Sequence, residues 1–128
     1  MEQAALRDDM VDSLEHDAKG VVHSDAVGLA LREVPRHEFV PEEERAYTDQ
    51  SHEHAGTRIL SPSSVARLFE ALRVEEGDAV LVVGAGVGYT SAVAAELAGA
   101  RNVHAVDITR RVVYDARTNL EDAGYGEV

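Results

Sequence analysis

One segment limits the fold of this chain more than any other: a short apolar run that leads directly into a glycine-rich turn. Residues 79–83 are Ala-Val-Leu-Val-Val, and residues 84–88 are Gly-Ala-Gly-Val-Gly. A continuous run rich in β-branched residues is typical of a strand buried on both faces of a parallel sheet. A helical segment follows from Tyr89 to about Leu97, and Gly99 predicts its end. The segment therefore predicts a strand, a glycine loop and a helix.

A second unit of the same kind follows the first. Residues 103–106 predict another strand, Asp107 lies at its end, and Thr109 is placed to cap a last helix that extends to about Ala123. The order strand, glycine loop, helix, strand, acid, helix is how a doubly wound α/β sheet begins. We therefore predict an α/β fold with the first two βα units of a Rossmann-like sheet.

The residues before the first strand predict helices. Apolar residues recur at helical spacing from about Glu2 to Lys19, and Gly20 predicts the end of that helix. Ser24 is placed to cap a second helix that ends before Pro35. These helices predict a helical N-terminal cap in front of the sheet.

A polar stretch separates these helices from a third. Residues 42–47 predict one further helical turn, whereas residues 48–60 are polar and have no helical stripe. Loops of that length inside a compact domain are usually functional or mobile. Ser61 is then placed to cap a helix with Pro62 at its first position.

The composition of the chain limits its binding partners and indicates the salt concentration in which the protein works. The 128 residues include 24 Asp or Glu and 12 Lys or Arg, which gives a formal net charge of −12, and there is no cysteine. The absence of cysteine excludes disulfides and thiolate metal sites. An acidic surface repels phosphate, so we expect no nucleic-acid partner. Lys19 is the single lysine among the basic residues, and this arginine bias with the acid excess predicts a halophilic protein.

No apolar run approaches the ~20 residues that span a bilayer, so we expect no membrane partner. The first residues are acidic and lack the basic-then-apolar plan of a signal peptide. We therefore expect a cytoplasmic protein.

The glycine loop limits the choice of ligand. Backbone N–H groups at a helix N-terminus face a ligand there, and glycines let it approach closely. The candidate cofactor-binding residues are Gly84, Ala85, Gly86 and Gly88, with Asp107 about 20 residues on, where an acid accepts hydrogen bonds from ribose hydroxyls.

The spacing of the glycines favours one kind of ligand and leaves two alternatives open. The spacing G-x-G-x-G of this chain occurs in S-adenosylmethionine-dependent methyltransferases. The first alternative is a dinucleotide, but dinucleotide loops have the spacing G-x-G-x-x-G, and Tyr89 stands where the third glycine would be. The second alternative is a tight turn that binds no ligand. Tyr89 either packs under the loop or contacts the ligand.

The upstream segments carry a resemblance to one family. Residues 34–41 are V-P-R-H-E-F-V-P, followed by Ala46-Tyr47-x-Asp49, Gly56 and Pro62 before the glycine loop. In order and spacing, from about residue 10 to residue 125, the chain resembles the protein-L-isoaspartate O-methyltransferases. The resemblance covers the N-terminal part of that family's fold.

The resemblance implies repair of damaged proteins. Members of the family use S-adenosyl-L-methionine to methylate the α-carboxylate of L-isoaspartyl residues, so isoaspartyl-containing proteins or peptides are the expected partners. It divides the chain into residues 1–74, a helical cap and substrate-side loop, and residues 75–128, the start of the adenosylmethionine-binding domain.

The chain departs from the family at two places. The family's Thr-Ile-Ser-x-Pro segment corresponds to residues 58–62, so Arg58 replaces the threonine and Leu60 the substrate-orienting serine. Ser61 and Arg58 are the candidate catalytic residues; a helix cap and a solvated charge are the alternative roles. Val82 stands where many relatives have an acid that helps hold the cofactor's amino group. The alternative function is therefore a catalytically silent binding or interaction module.

Two further sites carry open alternatives. His52 and His54 alternate along an extended segment, which places both imidazoles on one side, but no third ligand is near in sequence, and we expect no metal. Asp49 either lines the substrate side of the pocket or caps the following turn.

The family's sheet has about seven strands, and this chain supplies two. We therefore expect this chain to be the N-terminal part of a longer or split protein. Without the C-terminal half, we expect the chain to self-associate or to be only partly folded.

Overall fold

In the computed structural model, residues 2–128 are described, and they form five α-helices and two small sheets. The helices are α1 (Gln3–Glu15), α2 (Asp25–Glu33), α3 (Pro62–Leu72), α4 (Tyr89–Ala98) and α5 (Arg110–Asp122). The strands are β1 (His52–His54), β2 (Thr57–Ile59), β3 (Val80–Val83) and β4 (Val103–Val106). Short 3-10 turns span Arg36–Glu38, Glu43–Arg45 and Ala100–Asn102.

The first helix is shorter than predicted. It ends at Glu15, because His16 takes an extended conformation and its ring Nδ1 accepts the N–H of Ala18 at 3.1 Å. The second helix begins as expected: Ser24 Oγ accepts the N–H of Val27 at 3.3 Å. Val34 is extended before Pro35, as a residue that precedes proline prefers.

The polar stretch at residues 48–60 contains a hairpin that the sequence analysis missed. Strands β1 and β2 pair antiparallel, with Glu53 opposite Arg58. Ala55 and Gly56 form the turn with φ of 49° and 81°, as a two-residue hairpin turn requires. Each strand has only three residues, which is too short for an alternating apolar pattern to predict it.

The second half of the chain has the predicted α/β order. Strands β3 and β4 are parallel, with Val80 opposite Val103 and Val83 opposite Val106. Helix α4 connects the two strands and packs against both. The prediction of an α/β fold with a helical N-terminal cap and two βα units is confirmed.

The prediction that the first strand is covered on both faces is wrong for residues 2–128. Leu81 is 63% exposed and Val83 is 77% exposed, and Val106 on the neighbouring strand is 49% exposed. The helices of the described chain cover the other face of the two-stranded sheet, where Val80 and Val82 lie against the core. An apolar sheet face is therefore open to solvent.

One core runs through both halves of the chain. It joins buried side chains of α1, α2 and α3 to those of α4, and its largest fully buried members include Leu14, Leu31 and Phe69. The boundary between residues 74 and 75 stays a prediction. No helix within residues 2–128 is long and apolar enough to cross a membrane.

Candidate functional site

The glycine loop joins β3 to α4 by a path that needs glycine at its last position. Gly88 has a φ of 101°, and a Cβ at this position would lie 3.2 Å from Cγ of Leu120. Glycine therefore allows both this conformation and the close approach of α5 to the start of α4.

The backbone N–H groups of the four predicted loop residues donate hydrogen bonds within the chain. Those of Gly84 and Ala85 both donate to the carbonyl of Val106, at 2.9 and 3.0 Å. That of Gly88 donates to the carbonyl of Ala85 at 3.1 Å, and that of Gly86 donates to Asp107. These four N–H groups are therefore engaged within the chain, and the role of the loop residues in binding a cofactor stays a prediction.

Asp107 lies at the end of β4, directly beside the loop. Its Oδ2 accepts the N–H of Gly86 at 3.1 Å, and its Oδ1 accepts the N–H of Thr109 at 3.1 Å. The hydrogen bond from Thr109 and the one from Gly86 lower the pKa of Asp107 below its usual value. Each carboxylate oxygen keeps a further lone pair for a ligand hydroxyl.

The cap of α5 differs from the prediction. The side chain of Thr109 makes no capping hydrogen bond at the first turn of α5. The backbone N–H of Thr109 is bound instead by Asp107, so that the acid at the end of β4 also orders the turn into α5.

A narrow cleft lies between the glycine loop and residues 58–60. It has a volume of about 50 Å³, and Arg58 and Leu60 face Gly86 and Tyr89 across it. The structure thus brings the substrate-side segment and the predicted cofactor loop together, although they are far apart in sequence.

The two candidate catalytic residues have different positions. Arg58 is exposed and lines the narrow cleft, whereas Ser61 is not among the residues that line it. Ser61 Oγ accepts the N–H of Ser64 at 3.3 Å and donates to Ser64 Oγ at 3.0 Å, so it caps α3. Leu60 is 40% exposed and lines the cleft with an aliphatic side chain.

Arg36 belongs to the V-P-R-H-E-F-V-P segment that carries the family resemblance, but its structural role was not predicted. It is fully buried, and its guanidinium donates to the carbonyls of Ala46 at 2.8 Å, Leu60 at 2.9 Å and Gln50 at 3.3 Å. It also lies over the ring of Tyr89, 4.6 Å from the centroid. Burial lowers the pKa of Arg36 below its usual value. One side chain therefore ties residue 60 and the start of α4 to the N-terminal cap.

Tyr89 packs beneath the glycine loop. It is 2% exposed, and its ring meets that of Phe39 edge to face at 5.9 Å. Burial raises the pKa of Tyr89 to about 12. The structure shows the packing role, and because Tyr89 also lines the narrow cleft, its contact with a ligand stays a prediction.

Asp49 anchors the start of α3. Its carboxylate accepts the N–H of Ser63 at 3.0 Å, also accepts the hydroxyl of Ser63, and pairs with Lys19 at 2.8 Å. Burial raises the pKa of Asp49, but the hydrogen bonds from Lys19 and Ser63 outweigh burial, and the pKa lies below its usual value. Asp49 therefore caps the first turn of α3, 14 residues further along the chain, rather than the turn that directly follows it.

The two histidines of β1 have separate environments. His52 is buried, and His54 Nε2 lies 2.9 Å from Oδ2 of Asp115 on α5. Within residues 2–128, no three His, Asp or Glu side chains are placed to hold a metal ion.

Two parallel strands, the glycine loop between them and an acid at the end of the second strand define the beginning of a Rossmann-like methyltransferase domain. The family model that matches the chain is that of protein-L-isoaspartate(D-aspartate) O-methyltransferase, and it covers residues 5–128. The chain therefore belongs to the protein-L-isoaspartate O-methyltransferase family.

Relatives and solved structures agree with this assignment. The protein-L-isoaspartate O-methyltransferase of Methanosarcina mazei is 40% identical over 127 residues, which cover 96% of this chain and 51% of that protein. The one from Aeropyrum pernix is 43% identical over 131 residues, with 96% and 47% covered. The chain thus spans about half the length of the curated relatives it matches.

Two solved structures share the fold. A protein-L-isoaspartate O-methyltransferase from Plasmodium falciparum, in complex with S-adenosyl-L-homocysteine, has a TM-score of 0.79 at 19% identity and covers 92% of this chain and 56% of its own. Another structure of that name has a TM-score of 0.75 at 27% identity, with 92% and 39% covered.

Proposed function

We propose that the chain binds S-adenosyl-L-methionine at the glycine loop and takes part in methylating the α-carboxylate of L-isoaspartyl residues in damaged proteins. One observation carries the proposal: Asp107 is held at the end of β4, beside the glycine loop, and the loop faces residues 58–60 across the narrow cleft. Membership of the family supports the same reading.

The spacing of the glycines favours this cofactor over a dinucleotide. A dinucleotide loop has the spacing G-x-G-x-x-G, in which the third glycine makes room for the pyrophosphate. Tyr89 stands at that position and is buried under the loop. Adenosylmethionine has a ribose, for which Asp107 offers an acceptor, and it has no phosphate.

The cofactor supplies an activated methyl group, and the protein has to bring a substrate carboxylate into line with it. A carboxylate oxygen forms the new bond to carbon while the bond from carbon to sulfur breaks, and the sulfur leaves as a neutral thioether. No proton has to move in this step, so the residues of the chain act by holding the two reactants.

Arg58 is the residue that we propose to hold the substrate carboxylate. It lines the narrow cleft next to the loop, and a guanidinium binds a carboxylate through two parallel hydrogen bonds. Leu60 cannot donate a hydrogen bond, and it forms an apolar wall there. Ser61 is proposed as a second contact, which requires its hydroxyl to turn away from Ser64.

A specific observation favours a second candidate function. The side chain at the family serine position is Leu60, and Ser61 is engaged as a helix cap. A binding module that keeps the cofactor loop and has no methyl transfer would show this arrangement.

Methyl transfer to an isoaspartyl peptide, with the matching aspartyl peptide as control, separates the two functions. The proposed enzyme transfers the methyl group to the isoaspartyl peptide alone, and Arg58→Ala lowers the rate by about tenfold or more. Arg67→Ala on the exposed side of α3 is the matched control and leaves the rate unchanged. Cofactor binding with no transfer to either peptide, by the chain or by a full-length relative that carries leucine at this position, would instead support the silent module.

The partner of the exposed sheet face is also a proposal. Leu81, Val83 and Val106 form an apolar surface on parallel strands, which are normally covered on both faces. We propose that further chain of the same family fold, or self-association, covers this surface. The cytoplasmic location stays a prediction.

A further inference from the structure

A second and larger cleft lies beside the narrow one. It has a volume of about 340 Å³ and is bounded by the loop at residues 38–41, by His54 of the hairpin and by one face of α5. Val87 of the glycine loop lines both clefts, so the two are neighbours on the surface. The methyl-transfer proposal makes no use of this larger cleft.

The inner wall of the larger cleft is apolar. Phe39, Val40 and Val87 line it and are each less than a tenth exposed. Tyr114 also lines it but is 71% exposed, so one aromatic ring borders the opening. An aliphatic chain that enters the cleft is in contact with carbon atoms along its length.

Two polar side chains of the cleft donate hydrogen bonds to backbone carbonyls. The hydroxyl of Thr118 donates to the carbonyl of Tyr114 at 3.2 Å, and the amide nitrogen of Asn119 donates one of its two N–H groups to the carbonyl of Val87 at 3.0 Å. His54 Nε2 lies 2.9 Å from Oδ2 of Asp115. The side-chain oxygens of Thr118 and Asn119 are acceptors that a ligand can use.

The charge of the cleft is negative. Glu38 and Asp115 line it with carboxylates. Arg111 forms a loose ion pair with Asp115, with its Nε at 3.9 Å, but its side chain is 76% exposed and does not line the cleft. Acceptors, two carboxylates, an apolar wall and an exposed aromatic ring complement an ammonium or guanidinium group on an aliphatic stem.

We propose that this larger cleft binds a lysine or arginine side chain of the polypeptide substrate, close to the damaged residue. The proposal rests on the proposed function for the identity of the substrate. Because the two clefts share Val87, we place the basic residue within about three positions of the isoaspartyl residue, a span of ~10 Å in an extended chain.

Binding of labelled peptides, followed by fluorescence anisotropy with S-adenosyl-L-homocysteine present, tests this proposal. The peptides carry lysine, norleucine or glutamate at each of the three positions on either side, in isoaspartyl and aspartyl versions. At one of these positions, lysine strengthens binding by about tenfold over norleucine, as expected of one charge-assisted contact. Glutamate at the same position weakens binding below that of norleucine.

Two variants locate the effect. Asp115→Asn removes one charge and reduces the lysine advantage to about twofold or less. Glu38→Gln removes the negative charge of Glu38 and leaves the contact between His54 and Asp115 intact. Asp122→Asn is the matched control, because Asp122 is an exposed acid at the end of the same helix and outside the cleft lining. It keeps the full lysine advantage.

The outcomes separate this proposal from the function on which it rests. Equal binding of lysine and norleucine peptides at all six positions, or equal losses in Asp115→Asn and Asp122→Asn, would overturn the cleft proposal. If isoaspartyl peptides bind more tightly but lysine gives no advantage, the proposed function is supported and the cleft proposal is rejected. If lysine strengthens binding equally in isoaspartyl and aspartyl peptides, and this advantage depends on Asp115, the cleft proposal is supported and isoaspartyl recognition is not.

Discussion

Replacement of Arg36 by methionine is the perturbation for which the structure gives the clearest magnitude. The guanidinium donates to three carbonyl groups from separate segments, at Ala46, Gln50 and Leu60. A buried acceptor left without a donor costs roughly 1–3 kcal/mol, and removal of a buried cation returns part of that. We therefore expect Arg36→Met to lower the free energy of unfolding by about 3–5 kcal/mol.

Two further variants make this estimate specific. Arg36→Lys keeps the charge and some of the donors but loses the planar fork, so we expect a loss of about 2 kcal/mol. Arg32→Met is the control, because Arg32 forms partly exposed ion pairs with Asp12 and Glu15 at 2.8 and 2.7 Å. Such pairs contribute about 1 kcal/mol or less each.

Urea unfolding followed by circular dichroism, at one protein concentration and in molar KCl, measures the three values. We expect the loss in the free energy of unfolding to be largest for Arg36→Met, smaller for Arg36→Lys and smallest for Arg32→Met. An Arg36→Met protein within about 1 kcal/mol of the parent, with an unchanged m-value, would refute it.

The remaining predictions concern the loop, the cap of α3, salt and assembly. Gly88→Ala lowers the free energy of unfolding by about 2 kcal/mol or more, because Gly88 has a φ of 101° and an added Cβ would contact Leu120. Gly77 has a φ of 90° with open space where a Cβ would lie, so Gly77→Ala measures the backbone cost alone in the same urea titration. Asp49, whose pKa is lowered, contributes stability that is present above its usual pKa and lost as pH falls through the folded value. Urea midpoints of the parent and Asp49→Asn proteins therefore differ at pH 7 and converge as the pH falls below the usual pKa of aspartate. With a net charge of −12, the thermal midpoint rises in molar KCl, and full stability in dilute buffer would contradict the halophile prediction. Val83→Glu on the exposed sheet face weakens self-association in sedimentation velocity, and a monodisperse parent monomer of 13.8 kDa that unfolds cooperatively would oppose that proposal.

Local patterns made much of the fold predictable. The strands at residues 80–83 and 103–106 are largely apolar and are followed by a glycine and by an acid. The N-caps Ser24 and Ser61, and Pro62 at the first position of α3, have strong positional preferences. The hairpin at residues 52–59 was not predictable in this way, because its two strands are too short to show a period.

The site was predictable only in part, because its geometry depends on distant residues. The pattern of residues 84–107 indicates the glycine loop and Asp107, but the acceptor for the N–H groups of Gly84 and Ala85 is Val106 on the neighbouring strand. The role of Arg36 depends on carbonyls as far along the chain as Leu60. The apolar run of β3 predicts burial on both faces, although what covers one face is not part of the pattern.

Calorimetric titration of the chain with S-adenosyl-L-homocysteine in molar KCl tests whether the glycine loop and Asp107 bind this class of cofactor. We expect binding of S-adenosyl-L-homocysteine and of adenosylmethionine and no binding of NAD. We also expect a loss of about tenfold or more in affinity in Asp107→Ala, because the ribose hydroxyls lose a charged acceptor. Absence of binding by either adenosyl ligand at millimolar concentration, or binding that Asp107→Ala leaves unchanged, would contradict this expectation.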